Sequence, residues 1–149
     1  MKNDTQQLTK KGFTLIEIMV VVVIIAVLTV VGMVSYASIN KNSRDAKRKS
    51  DIEQIRSALE MYRTDIGYYP TSSNAWIDTA ALNDYLVVGG YISAIPTDPT
   101  TGFLYKYKAI NFNDPNYYGY CLEAVMENSS LGVNQCVGET EYNYTIKNP

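Results

Sequence analysis

The stretch GFTLIEIMVVVVIIAVLTVVGMV, residues 12–34, decides the architecture of this chain. From residue 18 to residue 34 it carries no charge, and only Thr29 and Gly32 are not hydrophobic. About twenty apolar residues in a helix cross the ~30 Å hydrocarbon core of a bilayer. A helix packed inside a small protein is not apolar on every side. The sequence therefore predicts a membrane-inserting helix over residues 13–34, in which Glu17 is the one charged residue.

The composition of the whole chain excludes several classes of function. Its 149 residues are 46% hydrophobic and 19% charged, which is too apolar for a disordered chain. A net charge of −2 argues against specific nucleic-acid binding. The chain has no histidine and two cysteines, so histidine-based catalytic units and histidine or four-sulfur metal sites are absent. We expect no enzyme and no cofactor.

A short polar leader, residues 1–12, precedes the apolar stretch and carries three lysines and one aspartate. An ordinary secretory signal is one interpretation, with Ser35-Tyr36-Ala37 as a small-x-small cleavage site. The apolar run is longer than the usual 7–15 residues of such a signal. Glu17 also opposes this interpretation, because a carboxylate inside a membrane segment is costly and usually functional.

The string Lys10-Lys11-Gly12-Phe13-Thr14-Leu15-Ile16-Glu17 resembles the leader junction of the type IV prepilin and type II secretion pseudopilin family. The similarity extends over roughly the first hundred residues. It implies that a prepilin peptidase cleaves between Gly12 and Phe13 and that Phe13 becomes N-methylated. It also implies that Glu17 is retained for assembly. The new amine lies only ~6 Å from Glu17 along the helix axis and is poorly placed for it, so we expect a neighbouring subunit's amine to be its partner.

An amphipathic helix is predicted beyond the apolar stretch. Apolar residues recur there at spacings of three and four, as Ile52, Ile55, Leu59, Tyr62 and Ile66. No proline lies between residues 13 and 69, so one helix can continue until Gly67 and Pro70 end it. The basic run at residues 41–49 is expected to be a solvated face of this helix.

The remaining sequence predicts a helix-plus-sheet head. A short helix is expected over residues 78–86 and strands over residues 103–109, 117–126 and 142–146. The predicted fold class is α+β, a long N-terminal helix packed on a small antiparallel sheet. Four regions follow from this: a leader at 1–12, a transmembrane half-helix at 13–34, an amphipathic half-helix at 35–66 and a head at 67–149.

Two features of the head bear on its chemistry. Cys121 and Cys136 form a disulfide in an exported domain, or remain two buried thiols if they do not pair. Three acids, Asp98, Asp114 and Glu123, are candidates for a calcium site or a carboxylate dyad. Some pseudopilins bind calcium in a C-terminal loop, but the corresponding loop here offers only Glu139 and Glu141, so we expect no metal.

These observations favour a structural subunit that polymerises into a type IV pilus-like filament through its apolar helix. The alternative is a type II secretion pseudopilin that forms a periplasmic pseudopilus. More remote alternatives are a membrane-anchored adhesin and a hydrolase. The expected partners are further copies of the chain, related minor pilins, the prepilin peptidase and an inner-membrane assembly platform.

The expected location is a single pass in the inner membrane before assembly, with the head outside the cytoplasm, and then an extracellular pilus or periplasmic pseudopilus. The positive-inside rule conflicts with this orientation. The basic residues at 41–49 outnumber the three lysines of the leader, so charge alone would place the head inside the cell. The family resemblance and the cysteine pair both indicate the outside.

Overall fold

The computed structural model describes residues 12–128, 136 and 143–148. The chain divides into two compact units, Met1–Ile39 and Asn40–Pro149. The first unit holds the apolar stretch of sequence, and the second holds the four strands. Helix α1 (Leu15–Ile66, 52 residues) contributes residues to both units.

In the first unit, α1 presents apolar side chains to its surroundings. Large hydrophobic residues such as Leu15 and Leu28 are 77% and 66% exposed. The hydroxyl of Thr29, in the middle of this run, donates to the carbonyl of Ile25 at 2.8 Å, so it adds no unpaired donor to the apolar surface. Within the described residues, no helix meets the combined length and hydropathy requirement for a membrane span.

In the second unit, the remainder of α1 buries the predicted apolar face. Four of its five residues lie in the hydrophobic core: Ile52, Ile55, Leu59 and Tyr62. The prediction was wrong for the fifth, because Ile66 is 44% exposed. The helix ends at Ile66, where Gly67 takes a positive φ of 94° and its N–H donates to the carbonyl of Arg63 at 2.7 Å. The buried face of α1 therefore ends at Tyr62, one turn before the left-handed glycine ends the helix.

The sheet has four antiparallel strands in the order β1-β2-β3-β4. They are β1 (Ile77–Asp78), β2 (Lys106–Asn113), β3 (Asn116–Ala124) and β4 (Tyr144–Lys147). The α+β class and the antiparallel meander are confirmed. The first predicted strand, residues 103–109, was placed three residues too early, and the two-residue β1 was not predicted.

A single helix was predicted over residues 78–86, and the structure instead has two short helices there. A 3-10 helix, Thr79–Leu82, comes first, and α2 (Asn83–Leu86) follows it. The carboxylate of Asp78 caps the start by accepting the N–H of Ala80 at 2.8 Å. Leu82 and Leu86 are fully buried, so the broken helix still supplies two residues to the core.

The core between α1 and the sheet is rich in tyrosine, and its buried hydroxyls have partners. Tyr107 donates to the carbonyl of Pro70 at 2.6 Å, and Tyr105 donates to the carboxylate of Asp51 at 2.8 Å. Burial raises the pKa of both hydroxyls well above that of a free tyrosine. Because a buried hydroxyl without a partner is costly, these bonds fix the positions of the two tyrosines relative to α1, at Asp51, and to the chain at Pro70.

Candidate functional site

The predicted processing site lies just before α1. Gly12 and Phe13 precede the helix, and Phe13 is 85% exposed. Among the described residues, a Cβ built on Gly12 meets no atom within 4 Å, and the φ of Gly12 is not in the left-handed region. The fold therefore does not require glycine at position 12. If glycine is needed there, the need comes from an enzyme that acts on this bond.

Glu17, the predicted assembly residue, is part of a capping box with Thr14. The Glu17 carboxylate accepts the Thr14 backbone N–H at 2.7 Å and its hydroxyl at 2.8 Å. In return the Glu17 N–H donates to the Thr14 hydroxyl oxygen at 3.3 Å. These bonds satisfy orphan N–H groups at the start of α1. The Thr-x-x-Glu pattern was visible in the sequence, and the assembly hypothesis overlooked it.

The predicted disulfide joins Cys121 in β3 to Cys136, 15 residues later, with their Cα atoms 6.3 Å apart. The N–H of Cys136 also donates to the hydroxyl of Thr145 in β4 at 3.1 Å. Cys136 is therefore attached to both strands at the end of the sheet. Glu139 and Glu141, the acids considered for a calcium loop, lie outside the described residues.

The side chain of Asn143 holds the chain where it enters β4. Its amide oxygen accepts the N–H of Met126 at 2.6 Å, and its amide nitrogen donates to the Met126 carbonyl at 2.8 Å. The two bonds imitate one rung of a β-ladder beyond the end of β3. These bonds join the two ends of the connection between β3 and β4, and the disulfide holds Cys136, within that connection, to β3.

The basic run of α1 is not simply a solvated face, because Arg48 is fully buried. Its guanidinium binds the Asp98 carboxylate through two nitrogens, at 2.7 and 3.0 Å. It also donates to Asp45 at 2.7 Å, to Glu127 at 3.1 Å and to the Thr100 hydroxyl at 3.0 Å. All five guanidinium N–H groups are thereby used. The prediction of a solvated face was wrong for this residue.

Asp45, which is buried, and Glu127, which is partly exposed, complete this ion cluster. The two carboxylate oxygens of Asp45 accept the backbone N–H groups of Glu127 and Asn128, each at 2.9 Å. Glu127 also pairs with Arg44 at 2.5 Å. The hydrogen bonds from Arg44 and Arg48 lower the pKa of Glu127 to about 2. One turn of α1 is thereby bound to two distant loops of the head.

The grouping of Asp98, Asp114 and Glu123 considered for a metal or a carboxylate dyad does not form. Asp98 is bound to Arg48. Asp114 lies in the turn before β3, whereas Glu123 lies near the other end of β3, opposite Lys106 in the register of β2 and β3. Within the described part of the chain, no three Asp, Glu, His or Cys side chains are placed to hold a metal ion.

A second polar cluster surrounds Glu60 on α1. The hydroxyls of Tyr69 and Tyr120 each donate to its carboxylate at 3.0 Å. The side-chain amide of Asn148 donates to the same carboxylate, and its backbone N–H donates to the Tyr120 carbonyl at 3.0 Å. The cluster joins the end of the described chain to α1. No local pattern in the sequence indicated it.

The fold and the helix start together define a class of protein. A long helix that begins directly after Gly12-Phe13-Thr14, carries Glu17 in its first turn and is followed by a small antiparallel sheet is the pilin-like architecture. The family described as Type II secretion system (T2SS), protein G matches residues 36–148, and the prokaryotic N-terminal methylation motif matches residues 8–33. The chain belongs to the type II secretion system protein G family.

Known proteins named Type II secretion system core protein G are similar to this chain. The one from Pseudomonas aeruginosa is 34% identical over 116 residues, which cover 74% of this chain and 81% of the relative. The one from Klebsiella michiganensis is 38% identical over 101 residues, covering 63% and 70%.

The relative from Escherichia coli strain K12 is 34% identical over 96 residues, covering 60% of this chain and 66% of its own length. No solved structure gives a significant match. Family membership confirms the expectation that the chain is not an enzyme, and it favours the pseudopilin alternative over the type IV pilin that the sequence first suggested.

Proposed function

We propose that this chain is a pseudopilin, a structural subunit that polymerises into the periplasmic pseudopilus of a type II secretion system. The observation that carries the proposal is the presence, in one chain, of a protein G head over residues 36–148 and a methylation motif over residues 8–33. The relatives cited above share the name of core protein G, and none is named as a type IV pilin. The pilus-like filament proposed from the sequence remains the second candidate.

In this proposal, prepilin peptidase removes residues 1–12, and the new N-terminal Phe13 is methylated. The exposure of Phe13 supports access by an enzyme. The open space around Gly12 indicates that folding does not need glycine at this position, which supports a requirement for glycine by the peptidase. The mature chain then begins one residue before Thr14, so the capping box with Glu17 survives cleavage.

The apolar residues of the first unit serve two successive environments. Exposed side chains along α1, such as Leu15 and Leu28, need an apolar cover because each exposed large side chain forgoes about 1.5–3 kcal/mol of burial. Lipid of the inner membrane provides it before assembly, with the head in the periplasm. Helices of neighbouring subunits and related minor pseudopilins provide it in the filament, after extraction by the inner-membrane platform.

Glu17 then directs the register of assembly. Among the described residues, its carboxylate is hydrogen-bonded to Thr14, which is a neutral partner. A terminal ammonium from a neighbouring subunit is a stronger partner than a neutral donor in a medium of low dielectric constant. Binding of that amine adds to the capping box or replaces one of its bonds. Helix packing supplies the attraction, and the charge selects one register.

The experiment is carried out in a strain that expresses the chain together with its own assembly genes. Gly12→Leu should leave the precursor uncleaved in the membrane, with an intact mass that includes residues 1–12 and no sheared filaments. Gly32→Leu is the matched control, because an added Cβ there also meets nothing within 4 Å, and it should be cleaved normally. A wild-type chain that starts at Met1, or normal filaments from Gly12→Leu, would overturn the proposal.

A further inference from the structure

The first turns of α1 in the second unit, residues 40–51, are almost entirely polar. Ala46 is the one apolar residue among the twelve, and it is exposed. We refer to residues 40–51 as the strap. A stretch of this composition cannot attach to a head by apolar burial, so its attachment has to come from charges and hydrogen bonds.

The attachment of the strap is concentrated at Arg48. This single residue contacts both the 98–100 loop, through Asp98 and Thr100, and the segment after β3, through Glu127. Arg44 and Asp45 add bonds to the same segment. At the end of the strap, the hydroxyl of Tyr105 donates to Asp51.

The next stretch of α1 is attached in a different way. Residues 52–62 bury Ile52, Ile55 and Leu59 completely. Burial of apolar surface is favourable in itself, whereas the attraction within a buried ion cluster is largely offset by the loss of hydration. The two stretches therefore bind the head with very different net free energies.

We propose that the strap is a separately releasable element, which detaches from the head as one unit while residues 52–62 and the sheet stay folded. Arg48 controls the release of the strap, because the side chains of Asp45 and Asp98 are each 1% exposed and Arg48 neutralises the charge of both. Loss of Arg48 removes the cation that both buried carboxylates bind, and water is then the better partner for their charges. Release lengthens the chain that leads into the folded head without unfolding the head.

Native-state hydrogen exchange on the full mature chain in detergent micelles tests this proposal. In the wild type, amides of residues 44–51 should open more readily than amides of residues 55–62. Their opening should also depend less on denaturant, since a small opening exposes little surface. Equal opening and equal denaturant dependence in the two stretches would show a single cooperative unit and overturn the proposal.

The variant Arg48→Met sharpens the test. Exchange of amides 44–51 should accelerate at least about a hundredfold, the scale on which loss of one partner of a buried pair acts, while amides 55–62 change by less than about twofold. The matched control is Arg56→Met, because Arg56 is exposed and its ion pair with Glu53, at 3.3 Å, is exposed as well; it should change exchange in both stretches by less than about twofold. Acceleration of both stretches by Arg48→Met, or of neither, would contradict a separate strap.

Discussion

Residues 40–51 and residues 52–62 are consecutive stretches of one helix, yet they bind the same head by opposite means. The first is joined through Arg48 and its carboxylate partners, and the second through Ile55, Leu59 and their apolar neighbours. Ion clusters demand one geometry but add little net stability, whereas apolar burial is tolerant of geometry and adds much. We infer that residues 52–62 supply most of the stability with which α1 binds the head, and that residues 40–51 determine the specific geometry of this attachment.

The largest expected effect falls on the apolar stretch. Leu59 is fully buried, and Leu59→Ala should lower the free energy of unfolding by about 2–5 kcal/mol because it removes apolar contacts and leaves a cavity. Urea denaturation followed by tyrosine fluorescence measures this. Ser57→Ala, on the exposed side of the same stretch, should stay within ~0.5 kcal/mol of wild type. A loss as small for Leu59→Ala would show that apolar burial does not dominate.

The disulfide is expected to have the next largest effect. It closes a loop of 15 residues between Cys121 and Cys136, for which the loop-entropy relation gives about 3 kcal/mol. Replacing both cysteines by serine should therefore lower the unfolding free energy by about that amount. Before this comparison, the wild-type protein is treated with an alkylating reagent without reduction, and mass analysis must find no alkyl group on either cysteine. Alkylated cysteines would contradict the pairing.

A smaller effect comes from Glu127 in the ion cluster. Its pKa in the folded protein is lowered to about 2 by Arg44 and Arg48, whereas a free glutamate titrates near 4.3. The ion pairs of Glu127 with the two arginines therefore stabilise the fold fully above about pH 5, and this contribution disappears as the pH falls towards 2.

The variant Glu127→Gln measures that contribution. At pH 7 it should unfold with about 1 kcal/mol less free energy than wild type, a value reduced by solvent screening, and the difference should shrink steadily below pH 5. A difference that is independent of pH would show that packing, and not charge, accounts for the contribution of Glu127.

The sequence predicted those features that depend on local patterns. The apolar run and the three-four spacing of Ile52, Ile55 and Leu59 predicted the long helix, and the strand segments at 103–109, 117–126 and 142–146 added the sheet of the α+β class. The burial of Arg48 could not be predicted, because its partners Asp98 and Glu127 lie 50 and 79 residues away. The cluster around Glu60 depends on Asn148, 88 residues away, and was out of reach for the same reason.

Other differences have local causes. The alternation that placed a strand over residues 103–109 continues into β2 (Lys106–Asn113), so the pattern indicated the strand but not its start. A strand of two residues, such as β1, is too short to show any alternation. The Thr14-x-x-Glu17 capping box was readable from the sequence, and it was missed because the acid in an apolar stretch was interpreted for assembly alone.

The most direct test concerns Glu17, because we propose that assembly depends on the first unit, whereas stable folding depends on the second. Glutamine can replace glutamate in a capping box, so Glu17→Gln removes the charge and keeps the helix start. Thr14→Ala is the matched control, since it removes the cap hydroxyl and keeps the charge.

The measurement is the yield of sheared filaments at equal amounts of the protein in the membrane. We predict that Glu17→Gln reduces this yield sharply, that Thr14→Ala reduces it little, and that the unfolding free energy of the head is unchanged in both. Normal filament yield from Glu17→Gln, or an equal loss from Thr14→Ala, would contradict the account, because Glu17 would then act only through the capping box.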